Sequence, residues 1–291
     1  MKTCKLQGGL GNQMFQYAVV RATEADRNRK VLLDTYFLRE NKGSTDTFTA
    51  RELELDIFQN LNADYLTNSW RKILLSKGVF YRLIRTVLRV SPLVVKQIEN
   101  EFINIPQRKN LYLDGYFQSE KYFSHIREEL LNQFKFPSLD GRNTELAKKM
   151  TIENSVSIHV RHGDFLKLKT VSDYHGVLPL SYYKDALERL GTEKDLTFYI
   201  FSDDSDFIRS EFEFLSNRHI IDWNTGRDSW KDMALMSTCK HHIIANSSFS
   251  WWGAWLSSGN GYTIAPSKWF GDKANYNISD FIPDRWQTIN I

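Results

Sequence analysis

Thr3-Cys-Lys-Leu-Gln-Gly-Gly-Leu-Gly-Asn-Gln-Met14, continued by a periodic run and closed by Lys30-Val-Leu-Leu-Asp34, decides the fold class. Residues 3–7 read as a short strand and 8–13 as a glycine loop. Met14, Ala18, Val19, Ala22 and Ala25 give residues 14–28 one apolar helical face. Residues 30–33 form the next strand, ended by Asp34. Strand, glycine loop, helix and strand in this order open a doubly wound α/β sheet.

Working outward, residues 39–49 are polar and looped, and 62–100 read as largely helical. Leu111-Tyr-Leu-Asp-Gly-Tyr-Phe117 is a further strand, and residues 118–121 begin a helix. Phe136-Pro-Ser-Leu-Asp-Gly-Arg-Asn143 is turn-rich and marks the expected linker. The second half repeats the alternation, with strands expected at 155–160, 196–202, 219–221, 242–245 and 262–265. The expected division is therefore 1–140 and 141–291, two Rossmann-like domains of an α/β protein facing a cleft. The C-terminal tail is left open, in this reading, to return to the first domain.

Composition narrows the function. At 291 residues, 42% hydrophobic and 25% charged, the chain is that of a globular protein of two ordinary domains. A net charge of +3 excludes the strongly basic signature of a nucleic-acid binder. Cys4 and Cys239 are distant and build neither a disulfide framework nor a C-x-x-C site, which points to a reducing compartment. No signal region precedes the first glycine loop and no run is long enough to span a bilayer. The expected location is the cytoplasm, or the face of the inner membrane as a peripheral protein.

Four motifs carry chemistry. Ser157-Ile-His-Val-Arg-His-Gly-Asp-Phe165 delivers Arg161, His162 and Asp164 where a buried strand ends, the position at which open α/β sheets bind ligands. An arginine fork there suits a phosphate, and an Arg–Asp pair bracing a turn is the plainer alternative. Phe198-Tyr-Ile-Phe-Ser-Asp-Asp-Ser-Asp206 ends in acids. Ser202 and Asp203 stand at the strand end, suited to a ribose or base. Asp204 and Asp206 spell a metal-binding D-x-D, or simply start a helix. His241-His-Ile-Ile-Ala-Asn-Ser-Ser-Phe-Ser-Trp-Trp-Gly-Ala-Trp255 runs from strand through Asn246 into a helix start at Ser247 and Ser248. Its backbone N–H groups make an anion site, and its tryptophans read as core. In the glycine loop, Asn12 and Gln13 offer amides suited to sugar hydroxyls; a dinucleotide fingerprint lacks its third glycine because Met14 stands there.

Asp232, at the start of an amphipathic helix, is either a cap or a carboxylate for the N1–H and amine of guanine. The histidines fall into no zinc spacing. Between Trp70 and Lys96 lie Arg71, Lys72, Lys77, Arg82, Arg85, Arg89 and Lys96, with no acid among them. Interleaved apolar residues make this either a segment for anionic lipid headgroups or a core-packed helix with a solvated basic face.

Together, Gly8-Gly-Leu-Gly-Asn-Gln-Met-Phe-Gln-Tyr-Ala18, Gly115-Tyr-Phe-Gln-Ser-Glu-Lys-Tyr-Phe123, His159-Val-Arg-His-Gly-Asp164, Phe201-Ser-Asp-Asp204 and Ala245-Asn-Ser-Ser-Phe-Ser-Trp-Trp-Gly-Ala-Trp255 resemble the bacterial α-1,2-fucosyltransferases of glycosyltransferase family 11. The resemblance implies a GT-B fold and inverting, metal-independent transfer of fucose. GDP-β-L-fucose would be the donor, a substrate with no cofactor beside it. The acceptor would be the 2-hydroxyl of a terminal β-linked galactose. It implies a donor site in the C-terminal domain: Arg161 on the β-phosphate, His159, Asp203 and Asp232 on the nucleoside, and Ser247, Ser248 and Phe249 along phosphate and base. His162, Ser202 and Asn246 complete that set. Gly9, Asn12, Gln13, Gln118 and Ser119 would face the acceptor. His162 stands where many relatives have a second arginine. Asp164 is the candidate base, or the brace of Arg161. The rival functions are a transferase of another nucleotide sugar and a non-catalytic sugar- or nucleotide-binding module.

Overall fold

The computed structural model describes residues 1–45, 49–98, 101–163, 176–191, 193–271 and 280–291. The chain divides into two compact units, Met1–Pro137 and Ser138–Ile291.

In the first unit, β1 (Lys2–Lys5), β2 (Val31–Asp34), β3 (Ala63–Tyr65), β4 (Leu93–Lys96) and β5 (Leu111–Asp114) form a parallel sheet. Their order is β3-β2-β1-β5-β4. The first helix, Leu10–Ala22, starts earlier than its apolar spacing suggests, because Gly9 already serves as its N-cap residue. It stops short of Ala25 because Asp26 folds the chain back, accepting the Asn28 N–H at 3.0 Å. The stretch expected to be helical holds helices at Asn68–Leu75 and Val79–Leu88, and also the edge strands β3 and β4. Leu93-Val-Val-Lys after a proline carried a strand signal; three-residue β3 takes its conformation from pairing with β2.

In the second unit, β6 (Asn154–Val160), β7 (Leu196–Ser202), β8 (Arg218–Ile221), β9 (His241–Ile243), β10 (Thr263–Pro266) and β11 (Gln287–Ile289) are likewise parallel. Their order is β11-β10-β9-β6-β7-β8. The chain's last strand thus pairs within this sheet. Val156, Ile158 and Val160 of β6 face one apolar layer with Tyr182, Tyr183 and Ala186. On the opposite side, Tyr199, Phe201, Leu235, Met236 and Cys239 make a second layer. Covering both faces is what an all-parallel sheet requires.

Trp251, Trp252 and Trp255 are all buried, with ring centroids 5.0–6.0 Å apart. The Trp251 indole N–H donates to the Phe281 carbonyl at 2.8 Å. These rings fill core, as their spacing suggested. Cys4 and Cys239 are buried free thiols, one in each unit.

Candidate functional site

In each sheet the chain leaves its first strand on one side and later returns to the other, and the candidate residues collect beside that strand. In the second unit the chain runs from β6 outward through β7 to β8, then returns to β9 on the other side of β6. Ligands of open α/β sheets bind beyond the carboxyl ends of the strands at such a crossover. Arg161 follows β6, and Asn246, Ser247 and Ser248 follow β9.

The turn after β6 is held from β7. Asp203 Oδ1 accepts the backbone N–H groups of His162 and Gly163 at 2.9 and 3.1 Å. Its Oδ2 lies 3.5 Å from Arg161 Nε. A Cβ on Gly163 would stand 3.0 Å from the Asp203 carbonyl oxygen, so the backbone there would have to give by a few tenths of an ångström to take one. Asp203 thus braces the arginine. His162 is fixed on its far side: its ring stacks on Phe207 at 3.7 Å and Nδ1 meets Asp204 Oδ2 at 2.8 Å. The His162 hydrogen bond, followed by the Phe207 N–H, holds the Asp204 carboxyl below its ordinary range. Asp204 is the N-cap of the Ser205–Glu211 helix, with Asp206 in its first turn. Ser202 Oγ accepts the Asp204 N–H at 3.0 Å. Asp164 lies outside the described residues.

His159 is buried, two residues before Arg161, with its ring 5.9 Å from that of Phe249. Burial, reinforced by the charge of Arg161, pushes its pKa down to about 3, so the imidazole is neutral. Its Nδ1 is buried without a hydrogen-bond partner among the described residues. A buried polar atom of this kind marks a place where a ligand or water completes the bonding.

Across the crossover, Ser247 Oγ accepts the Phe249 N–H at 3.2 Å and caps the Ser248–Trp255 helix. Asn246 Nδ2 donates to the carbonyls of Gly176 and Trp269 at 3.0 and 3.1 Å, so this amide holds neighbouring chain in place. Phe249 also packs against the layer containing Leu235 and Met236, on the helix Trp230–Thr238 that carries Asp232. Asp232 Oδ1 accepts from Asn224 Nδ2 at 2.7 Å. Asn224 exchanges hydrogen bonds with Asn143 at 2.9 and 3.1 Å, and Asn143 donates to Asp140. Burial pushes the Asp232 carboxyl up to about 7, against the lowering effect of Asn224.

In the first unit the chain runs from β1 outward through β2 to β3, crosses to the far edge at β4 and comes back to β5, so the reversal beside the first strand lies between β1 and β5. Gly8, at φ +77°, turns the chain in the left-handed region, where a Cβ would also stand 2.5 Å from Asn12 Nδ2. Asn12 Oδ1 accepts from Gln118 Nε2 at 2.6 Å, which joins the two expected acceptor segments. Gly9 is half-buried beside Arg51 and Glu54. Gln13, by contrast, is fully buried. Its Nε2 donates to Gly8 O and Glu52 O, both at 2.8 Å, and its Oε1 accepts from Glu54 N and Leu55 N at 3.0 and 3.3 Å. An amide with every group committed braces the loop and presents nothing outward. Ser119 is buried too, and accepts the Lys121 N–H at 3.3 Å.

Several residues here were not anticipated. Gln16 spans the reversal, accepting from Gln7 N at 3.0 Å and donating to Gly115 O at 3.2 Å. Gln97 holds Phe117, whose φ of +52° is a strained setting for a phenylalanine next to Gln118. Glu54 accepts the Leu10 N–H at 3.2 Å, and burial raises its carboxyl above the ordinary range. Of these, Gln16 alone lies within the glycine motif and carried a local signal.

Comparison with known proteins fits this geometry. The family model for glycosyl transferase family 11 matches residues 93–290. An alpha-1,2-colitosyltransferase of Escherichia coli is 34% identical over 98% of this chain and 97% of its own length. A galactoside alpha-(1,2)-fucosyltransferase 1 of Leontopithecus chrysomelas is 26% identical over 53% of this chain and 45% of its own. Among solved structures, the fucosyltransferase NodZ of Bradyrhizobium aligns at TM-score 0.52 and 12% identity, covering 88% of this chain and 93% of its own. That likeness gives the fold as GT-B.

Proposed function

The chain belongs to glycosyl transferase family 11 and is a glycosyltransferase, and on that premise we propose that it transfers L-fucose from GDP-β-L-fucose to the 2-hydroxyl of a terminal galactose, with inversion and without a metal ion. The observation that carries this reading is the unpartnered, buried Nδ1 of His159 two residues before Arg161, at the crossover of the second sheet. A neutral imidazole suits a hydroxyl or a base edge, while a braced guanidinium suits a diphosphate. Residues 1–140 take the acceptor and 141–291 the donor.

As the bond from the fucose C1 to the β-phosphate oxygen breaks, negative charge grows on GDP and positive charge on the sugar. Arg161, aimed by Asp203, stabilises the first of these more in the transition state than in the ground state. The helix start at Ser247 and Ser248 adds its dipole. Asp164 takes the proton of the attacking hydroxyl. The engagement of Asp204 in capping and in pairing with His162 supports the metal-independent reading.

A second donor is favoured by the colitosyltransferase relative: GDP-colitose, whose sugar is fucose without its 3-hydroxyl. One assay separates the readings. Purified protein is given each GDP-sugar with a β-galactoside in EDTA, and the linkage is read by NMR. An α-1,2-fucosyl product is expected; transfer only from GDP-colitose replaces the donor, and activity only after adding manganese refutes metal independence.

Asp232 adds a pH dependence. Ionised, it accepts the N1–H and the amine of guanine, so GDP affinity rises as pH increases through about 7. Ionisation also costs folding energy, because the folded carboxyl titrates near 7 and the unfolded one near 4. That cost is absent in acid, grows between these values and is complete above 7. Asp232→Asn is therefore expected to be more stable than wild type at pH 8, by ~2 kcal/mol after allowance for its partial exposure. At the same pH it binds GDP about tenfold more weakly. Calorimetry and titration at two pH values check both; wild-type GDP affinity at pH 8 removes Asp232 from the site.

A further inference from the structure

The geometry points to a membrane-docking face on the first unit: the helix Val79–Leu88 lies in the headgroup region of an anionic bilayer and inserts Val79, Phe80, Leu83 and Val87. The alternative was a helix packed on the core with its charges outward. The helix instead leaves its apolar side uncovered. Val79, Phe80, Leu83 and Val87 are 73%, 68%, 62% and 80% exposed, and the helix has no buried residue. At 100° per residue these four positions fall in one arc of about 100°. Single exposed apolar residues are ordinary, but a contiguous apolar arc on a helix is a binding surface. It is extended by Leu93 and Val94 on the edge strand β4, 43% and 50% exposed.

Charge selects the occupant. Seven basic residues and no acid lie between Trp70 and Lys96. Two of the seven are used internally: Arg71 pairs with Asp34, and Arg85 donates to the Ile73 and Ser76 carbonyls. Lys72, Lys77, Arg82, Arg89 and Lys96 remain exposed. An apolar arc flanked by exposed lysine and arginine matches an acyl boundary beneath anionic headgroups, where each cation adds to the attraction. No described helix is long and apolar enough to cross the bilayer, so the contact is in-plane.

Vesicle flotation tests this with the full chain, on phosphatidylcholine alone and on an equimolar mixture with phosphatidylglycerol. Wild type is expected to float with the mixture and not with phosphatidylcholine, and raised salt weakens the binding. Phe80→Ser/Leu83→Ser/Val87→Ser and, separately, Lys72→Glu/Lys77→Glu/Arg82→Glu should each lower the bound fraction about tenfold, the latter through lost headgroup attraction. Both variants change exposed positions, so melting temperature and transfer to a soluble acceptor stay at wild-type values. Binding of either variant equal to wild type overturns the proposal. So does failure of wild type to bind the mixture, or a dimer in solution that the serine variant abolishes, which would make a second copy the occupant.

Discussion

Arg161→Ala is expected to lower transfer about 100- to 1,000-fold, the loss seen when one preorganised group stabilising a developing anion is removed. The fold should survive. Asp203 keeps its bonds to the His162 and Gly163 N–H groups without the guanidinium, so the turn after β6 stays in place. Arg161→Lys keeps the charge and loses the fork, and an intermediate loss of roughly tenfold follows. Initial rates at saturating donor, with melting curves for each variant, make the measurement. A loss below about threefold for the alanine variant, against the ~3 kcal/mol assigned to such a group, would remove Arg161 from the reaction.

Gln13→Leu carries the largest expected effect on stability. Its amide serves two carbonyls and two N–H groups drawn from the glycine loop and from residues 52–55. Leucine fills similar space and satisfies none of them. With unsatisfied buried groups costing about 1–3 kcal/mol each and some regaining water, the total is about 3–5 kcal/mol. For a unit of this size that corresponds to a fall of roughly 10–15 °C in the melting transition. GDP affinity of the folded protein should be unchanged, because the residues proposed to hold the donor belong to the second unit. A transition within ~2 °C of wild type would show that the loop does not depend on this amide.

The parallel sheets were legible where strands are buried on both faces. Such strands are continuous apolar runs ending abruptly in polar residues, as β6 does at Arg161 and β7 at Ser202. The edge strands Ala63–Tyr65 and Gln287–Ile289 left no such trace, since their conformation comes from one neighbour. In the site, residue types were readable but their division of labour was not. Asp203, read as a nucleoside ligand, also braces Arg161 from an adjacent strand. Gln13 and Asn12 looked alike as sugar-binding amides; contacts about 40 residues away commit Gln13 to the loop, and Asn12 meets Gln118. Hydrogen bonds between residues distant in sequence have no period and leave no local mark. The basic helix shows the same limit. Its amphipathic pattern was plain, yet which face met the protein depended on neighbours.

Hydrogen–deuterium exchange with and without GDP, in EDTA, tests whether the second unit holds the donor without a metal ion. Protection on GDP binding is expected in residues 157–163, 201–204 and 246–250, none in residues 8–13, and this protection is lost in Arg161→Ala. Protection centred on the glycine loop of the first unit, or protection that requires a divalent cation, would contradict this assignment.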